Sequence, residues 1–294
     1  MTKKKSRLNI MLPTLNILYR GPLESCNYDC TYCPFAKKKN TRAELQYDKA
    51  CLDKFVNWVS QQSRSIAILF TPWGEALIRR YYQEAMVKLS QMEQVKKVAI
   101  QTNLSSQLKW LEKANKDHTA LWTTFHPTEI SVEQFLKKCN QLVEMEVKFS
   151  VGIVGKKENF DFAKQLREEL PNSVYFWVNA YKRVPNYYSK KDIEYLNEID
   201  PLFNLNNTVY QTQGKACFAG ETSLSIDGEG EVFRCHFIKD KIGNIYNNTL
   251  DEILKPATCS NETCRCYIGY FNLKELKLQN IYGDKILERI PQAT

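Results

Sequence analysis

The sequence predicts an α/β fold: a partial (β/α)6 TIM-like barrel with a small C-terminal cysteine-rich β-hairpin domain. Three observations carry this expectation. Short apolar runs alternate with longer amphipathic stretches over the first two-thirds of the 294 residues, as in parallel βα units. Several of the runs are apolar at successive positions, as expected of strands covered on both faces. After Asp200-Pro201 the alternation stops, and half of the ten cysteines lie beyond it. Six units are too few to close an eight-stranded barrel. An open barrel and a flat doubly wound sheet both fit the pattern.

In chain order, strands are expected at 15–19, 65–70, 98–102, 121–125, 149–154 and 174–179. Helical patterns lie between them at 49–60, 75–92, 108–114, 132–144 and 160–170. Asn204-Leu205-Asn206-Asn207 reads as a linker. Strands at 223–226 and 231–234 flank the turn Asp227-Gly228-Glu229-Gly230, and a short helix follows at 250–255. The expected division is a lead-in over 1–14, the barrel over 15–203 and a second domain over 204–294. That last part has too little core of its own, and a metal centre would staple it.

Composition narrows the function classes. Hydrophobic residues make up 43% and charged residues 25%, ordinary for a globular chain. No run approaches the roughly 18–20 apolar residues that cross a bilayer. Lys3, Lys4 and Lys5 are not followed by a long apolar segment, so no secretory signal is read and a cytoplasmic location is expected. A net charge of +8 permits an anionic partner without demanding one; neither a membrane nor a nucleic acid is an expected partner. No internal repeat, P-loop or nucleophile elbow is present. Ten cysteines in a reducing compartment point to metal or redox chemistry.

Cys26, Cys30 and Cys33 form C-x3-C-x2-C directly after the first expected strand, where α/β barrels carry their catalytic groups. Three thiolates this close can hold three corners of a cubic iron–sulfur cluster and leave the fourth iron open to a small molecule. Structural zinc, which favours paired C-x2-C units and four ligands, is the alternative. With Tyr32 before the last cysteine, the motif resembles that of the radical SAM superfamily, and NILYRGPLESCNYDCTYCPFAK is similar to a short bacterial subfamily of it. The resemblance implies a [4Fe-4S] cluster whose open iron chelates the amino and carboxylate groups of S-adenosylmethionine. It further implies reductive cleavage to a 5′-deoxyadenosyl radical that abstracts a hydrogen atom from a substrate.

Further segments fit the resemblance. Thr71-Pro72-Trp73-Gly74-Glu75 is similar to the family's Gly-Gly-Glu segment, which implies that Gly74 and Glu75 hold the methionine amino group. Glu75 could equally serve a helix start. Gln101-Thr102-Asn103 lies where the family places polar residues near the cofactor, so Thr102 and Asn103 are candidates. The segment 151–158 resembles one whose backbone contacts adenine, here at Ile153, although Val151 stands in the expected glycine position. Asn179, ending the sixth strand, would bond adenine or ribose, or cap a loop.

Cys217 and Cys235 form C-x12-G-x4-C around the hairpin, and Cys259, Cys264 and Cys266 follow as C-x4-C-x-C. The first half resembles the opening of the SPASM motif. Five cysteines suffice for one auxiliary [4Fe-4S] cluster, as in the shortened version called a twitch domain. The favoured ligands are Cys217, Cys235, Cys264 and Cys266, with Cys259 as the alternative fourth. Zinc remains open at this site. Gly243-Asn244-Ile245, Leu250 and Ile253 resemble a structural segment of the same family.

Cys51 and Cys139, in amphipathic stretches, read as buried small hydrophobes. His126 should face the barrel mouth and His236 the auxiliary site; either could move a proton or simply be hydrogen-bonded. Lys37, Lys38 and Lys39 read as a solvated face, and Tyr181, Tyr187 and Tyr188 as an entrance or as packing. The resemblance implies an enzyme acting on a peptide or protein side chain, reduced by a donor such as flavodoxin or ferredoxin. With the barrel beginning near residue 15, a peptide substrate would need another binding surface or a partner protein. A small-molecule substrate and a glycyl-radical activase are the enzymatic alternatives. A zinc-stapled binding protein is the non-enzymatic one.

Overall fold

The computed structural model describes residues 12–292; Lys3, Lys4, Lys5 and the rest of the lead-in before residue 12 lie outside the described residues. Ten elements follow one another from the start. They are β1 (Leu15–Arg20), α1 (Arg42–Ser60), β2 (Ile66–Phe70), α2 (Arg80–Ser90), β3 (Val95–Thr102), β4 (Thr119–Phe125), α3 (Val132–Glu144), β5 (Lys148–Gly155), α4 (Phe160–Glu169) and β6 (Phe176–Ala180). The six strands pair in sequence order and all are parallel. Each helix packs one apolar stripe on the sheet. In α1 this is Leu52, Phe55, Val56 and Val59, and a Thr41–Glu44 capping box fixes its start. Between β3 and β4 the crossover is only a 3-10 turn, Lys109–Lys113, where the pattern at 108–114 suggested a helix.

Two helices follow, α5 (Lys190–Ile199) and α6 (Phe203–Asn207); the latter occupies the segment expected as a linker. Then come β7 (Tyr210–Gln211), β8 (Ala216–Cys217), β9 (Ser223–Asp227), β10 (Glu231–Phe233) and β11 (Lys241–Asn244). After these lie α7 (Leu250–Ile253), β12 (Ala257–Thr258), β13 (Thr263–Cys264), α8 (Tyr267–Tyr270) and α9 (Gln279–Tyr282). The expected hairpin forms, but β9 also pairs in parallel with β1, and β10 and β11 add antiparallel strands beyond it. It therefore extends the barrel sheet to nine strands instead of standing apart. The physical reason is β1 itself: its apolar residues would otherwise lie on an open edge.

The sheet is buried on both faces by different parts of the chain. Leu15, Ile17, Ile66, Ile68, Val98 and Ile100 face the helices. Leu18, Leu69, Ala99, Ala120, Trp122 and Trp177 face inward and meet Tyr267, Tyr270, Phe271, Tyr282 and Leu287. The C-terminal segment thus fills the inside of the partial barrel. A buried ion pair fastens it there: Lys97 Nζ of β3 lies 3.0 Å from the Glu288 carboxylate. Among the described residues no helix is long and apolar enough to cross a membrane.

Candidate active site

The loop after β1 carries Cys26, Cys30 and Cys33, of which Cys30 is buried and the others half-buried. Two neighbouring loops clamp it. The Glu75 amide donates to the Ser25 carbonyl at 3.2 Å, and Asn103 Nδ2 reaches Asn27 Oδ1 at 3.2 Å and Cys26 Sγ at 3.7 Å. Gly74 lies so close to this loop that a Cβ there would stand 1.9 Å from the Ser25 oxygen. Only glycine fits the approach.

Glu75 is 2% exposed. Its carboxylate accepts from Thr102 Oγ1 at 2.9 Å, the Asn103 amide at 2.6 Å and the Leu77 amide at 3.0 Å. Burial outweighs these bonds and raises its pKa to about 7. Thr102 and Asn103 are therefore joined to Glu75 in one network after β2 and β3. The expected helix start at 75 is instead a 3-10 turn, Ala76–Ile78, which Glu75 caps.

Tyr32 places its hydroxyl 2.8 Å from His126 Nδ1, which also lies 3.3 Å from Cys30 Sγ. Burial lowers the pKa of His126 to about 4 and raises that of the Cys30 thiol to about 11. His236 has both ring nitrogens engaged, Nε2 at 2.7 Å from Thr71 Oγ1 and Nδ1 with Ser225 Oγ.

These loops open on a cavity of about 500 Å³ at the C-terminal ends of β1 to β6. Cys26, Cys30, Cys33, Gly74, Glu75, Thr102, Asn103, His126 and Asn179 all line it. Ile153 does not. Its side chain is fully buried against the helices, and Val154 lines the cavity in its place. Neighbouring Gly152 makes room for the Trp177 ring, from which a Cβ there would stand 2.2 Å. Tyr188 donates to the Gly155 carbonyl and accepts from the Tyr181 amide, so these tyrosines pack instead of lining an entrance. Lys37 reaches the cavity and donates to the Cys30 carbonyl at 2.9 Å. Cys51 and Cys139 are buried, as expected.

Sequence reasoning missed four contributors. Tyr28, within the cysteine loop, lines the cavity. Arg20 ends β1, donates to the Thr71 carbonyl at 2.8 Å and stacks 4.0 Å from the Trp73 ring. Trp122 and Arg289 form part of the floor. The segment around Arg289, KILERI, is half charged and half apolar, and gave no local signal that this arginine is buried.

The C-terminal cysteines divide. Cys217, Cys235, Cys259 and Cys264 surround one narrow cavity. Backbone pairing explains Cys259: its amide donates to Lys215 and its carbonyl accepts from Gly214, each at 2.9 Å, beside β8, which carries Cys217. Cys266, favoured from spacing as a ligand, lines the large cavity instead. Burial raises the Cys235 thiol to about 11 and the Cys264 thiol to about 12. Among the described residues no three metal-binding side chains converge in a preformed cluster. The donors nevertheless fit a soft metal centre: each set offers several thiols, and no carboxylate or imidazole lines the narrow cavity.

Residues 217–279 match the model of the SPASM family, an iron–sulfur cluster-binding domain. The fold is similar to that of native anSMEcpe with bound AdoMet and Cp18Cys peptide, with a TM-score of 0.56 and 16% identity over 83% of this chain and 80% of that chain. It is similar also to histidine-tagged anSMEcpe with bound AdoMet, with a TM-score of 0.53 and 14% identity over 94% of this chain and 85% of that one. No curated protein matches by sequence. The chain thus shares the fold of these AdoMet-bound structures, a partial barrel of parallel strands, and its residues 217–279 match an iron–sulfur cluster-binding domain.

Proposed function

We propose that this chain is a radical SAM enzyme that modifies a peptide or protein side chain. Cys26, Cys30 and Cys33 would hold a [4Fe-4S] cluster, and Cys217, Cys235, Cys259 and Cys264 a second. The observation that carries the reading is the cavity itself. The three-cysteine loop, the Gly74-Glu75 loop and the ends of all six parallel strands meet around one space. When bound, the first cluster and S-adenosylmethionine supply a 5′-deoxyadenosyl radical that takes a hydrogen atom from the substrate.

The chain's own residues bind and shield. Glu75 fixes Thr102 and Asn103 and offers a carboxylate to the ammonium of the methionine moiety. Asn179 and the Val154 backbone stand at the strand ends where a nucleoside can be bonded. Tyr28 and Trp73 line the cavity and help exclude water from it. The peptide bound to a similar fold supports a peptide substrate. A flavodoxin or ferredoxin would supply the electron.

The test is anaerobic reconstitution followed by counts of iron, sulfide and zinc. Dithionite and S-adenosylmethionine are then added and 5′-deoxyadenosine is quantified. The expected result is about eight irons per chain and released deoxyadenosine. About four irons with cleavage would leave the C-terminal site to zinc. Zinc with neither iron nor cleavage would overturn the enzymatic reading.

A further inference from the structure

The segment after α9 carries two charged residues, Glu288 and Arg289, into the barrel, where they are 0% and 2% exposed. Glu288 is accounted for by Lys97, and its carbonyl accepts from Ser150 Oγ at 2.9 Å. Arg289 is not accounted for in the same way. Its guanidinium lies 4.4 Å from the Trp177 ring, 4.7 Å from Tyr267 and 5.7 Å from Trp122. Its Nε is buried without a hydrogen-bond partner, and among the described residues it forms no ion pair. Asp200 acts on it only from a distance. That carboxylate already accepts from the Tyr175 hydroxyl at 2.6 Å, the Val178 amide at 2.9 Å and the Leu202 amide at 3.0 Å.

The cavity supplies no counter-charge either. Glu75 is the one carboxylate among the described residues lining it; it accepts from Thr102, Leu77 and Asn103, and the position it has left is the one read above as meeting the methionine ammonium. A buried cation beside a cavity, with no ion pair and one donor that no protein group accepts, is costly unless something pairs with it. The aromatic rings hold the guanidinium plane in place but accept no in-plane hydrogen bond.

We propose that Arg289 is the anchor for a carboxylate on the substrate, seated at the floor of the cavity. This rests on the reading of the cavity as the substrate site. A planar guanidinium matches a carboxylate through two parallel hydrogen bonds. One guanidinium balances one negative charge, and Trp122 and Trp177 offer apolar walls to the methylenes that carry it. The substrate class is therefore a peptide or protein with a glutamate or aspartate side chain in the pocket.

The test is calorimetry on the reconstituted full chain with two probes, N-acetylglutamate N-methylamide and its glutamine counterpart. Each is titrated alone and after saturation with S-adenosylmethionine. The acid is expected to bind about tenfold tighter than the amide, with the preference unchanged by the cofactor. Arg289→Gln is expected to abolish that preference; if the variant does not fold, the acid–amide comparison on the unaltered chain still decides. Equal binding of the two probes, or none over the millimolar range, overturns the assignment. Exclusion of the acid by S-adenosylmethionine also overturns it, since the guanidinium would then serve the cofactor's own carboxylate. An acid preference in a chain that neither binds nor cleaves S-adenosylmethionine would support the anion site and overturn the proposed function.

Discussion

Gly74→Ala adds one methyl group at the tightest contact of the cofactor side of the site. Its Cβ would lie 1.9 Å from the Ser25 oxygen, 2.4 Å from the Ser25 carbonyl carbon and 3.1 Å from the Cys26 nitrogen. All three are backbone atoms, so no rotamer change relieves the overlap. The two loops must part by about 1 Å or more to reach ordinary contact distance. The bond from the Glu75 amide to Ser25, 3.2 Å long, opens with them. Overpacking of this kind costs about 1–3 kcal/mol. In a chain of this size each kcal/mol lowers the melting temperature by about 2–4 °C. The larger effect falls on function, because Cys26 moves relative to Glu75, and a misplacement of about 1 Å costs about a hundredfold in rate. The assay is 5′-deoxyadenosine release by iron-replete protein under dithionite, alongside a melting curve. A variant that keeps its rate within about threefold of the unaltered chain would refute the argument that Gly74 sets the spacing between these loops.

The carboxyl of Glu75 rises from 4.5 to about 7 on folding, so between those values the folded chain holds a proton that the unfolded chain has lost. Stability from this group therefore falls as pH rises through that window, and Glu75→Gln should remove up to about 3 kcal/mol of the decline, read from urea midpoints at several pH values. Cys259→Ala should lose about half the bound iron and Cys266→Ala should retain it, as counted on reconstituted protein. The reverse result would restore the ligand set favoured from spacing. Lys97→Met leaves Glu288 buried without its counter-charge and should cost about 3–5 kcal/mol in urea unfolding; adding Glu288→Leu should recover most of it.

The parallel strands were legible because a strand covered on both faces leaves a continuous apolar run, as in Ile66–Phe70. Val132–Glu144 was legible to its last residue because Ser131 caps a strongly amphipathic stretch. The start of α1 was not. Its first turns are polar and exposed, and the signal that could have found them was the Thr41–Glu44 capping box. The meeting of the cysteine loop with Gly74, Glu75, Thr102 and Asn103 around one cavity was legible because these residues cluster in sequence just after strands. The floor was not, because Tyr267, Tyr282 and Arg289 acquire their places only through the open bottom of the barrel, which no local pattern records. The same holds for Cys259 and Cys266. Spacing places both near Cys264, and only the pairing of residue 259 with Lys215 and Gly214 separates them.

The incomplete barrel explains how the narrow cavity of the C-terminal cysteines is tied to the large one. An eight-stranded barrel fills its axis with side chains from its own strands. Here small residues, Ala67, Ala99 and Ala120, leave that axis open, and the segment after Cys266 fills it from the side opposite the cysteine loop. Cys266 is the residue that opens α8, and Tyr267 of that helix stands against Trp122, Tyr282 and Arg289. Cys264, in the narrow cavity, is two residues away from Cys266. A centre bound by Cys217, Cys235, Cys259 and Cys264 would therefore hold the cavity floor by a chain connection too short to slacken. Its contribution to the fold is then inseparable from the shape of the substrate site, whatever electrons it also carries.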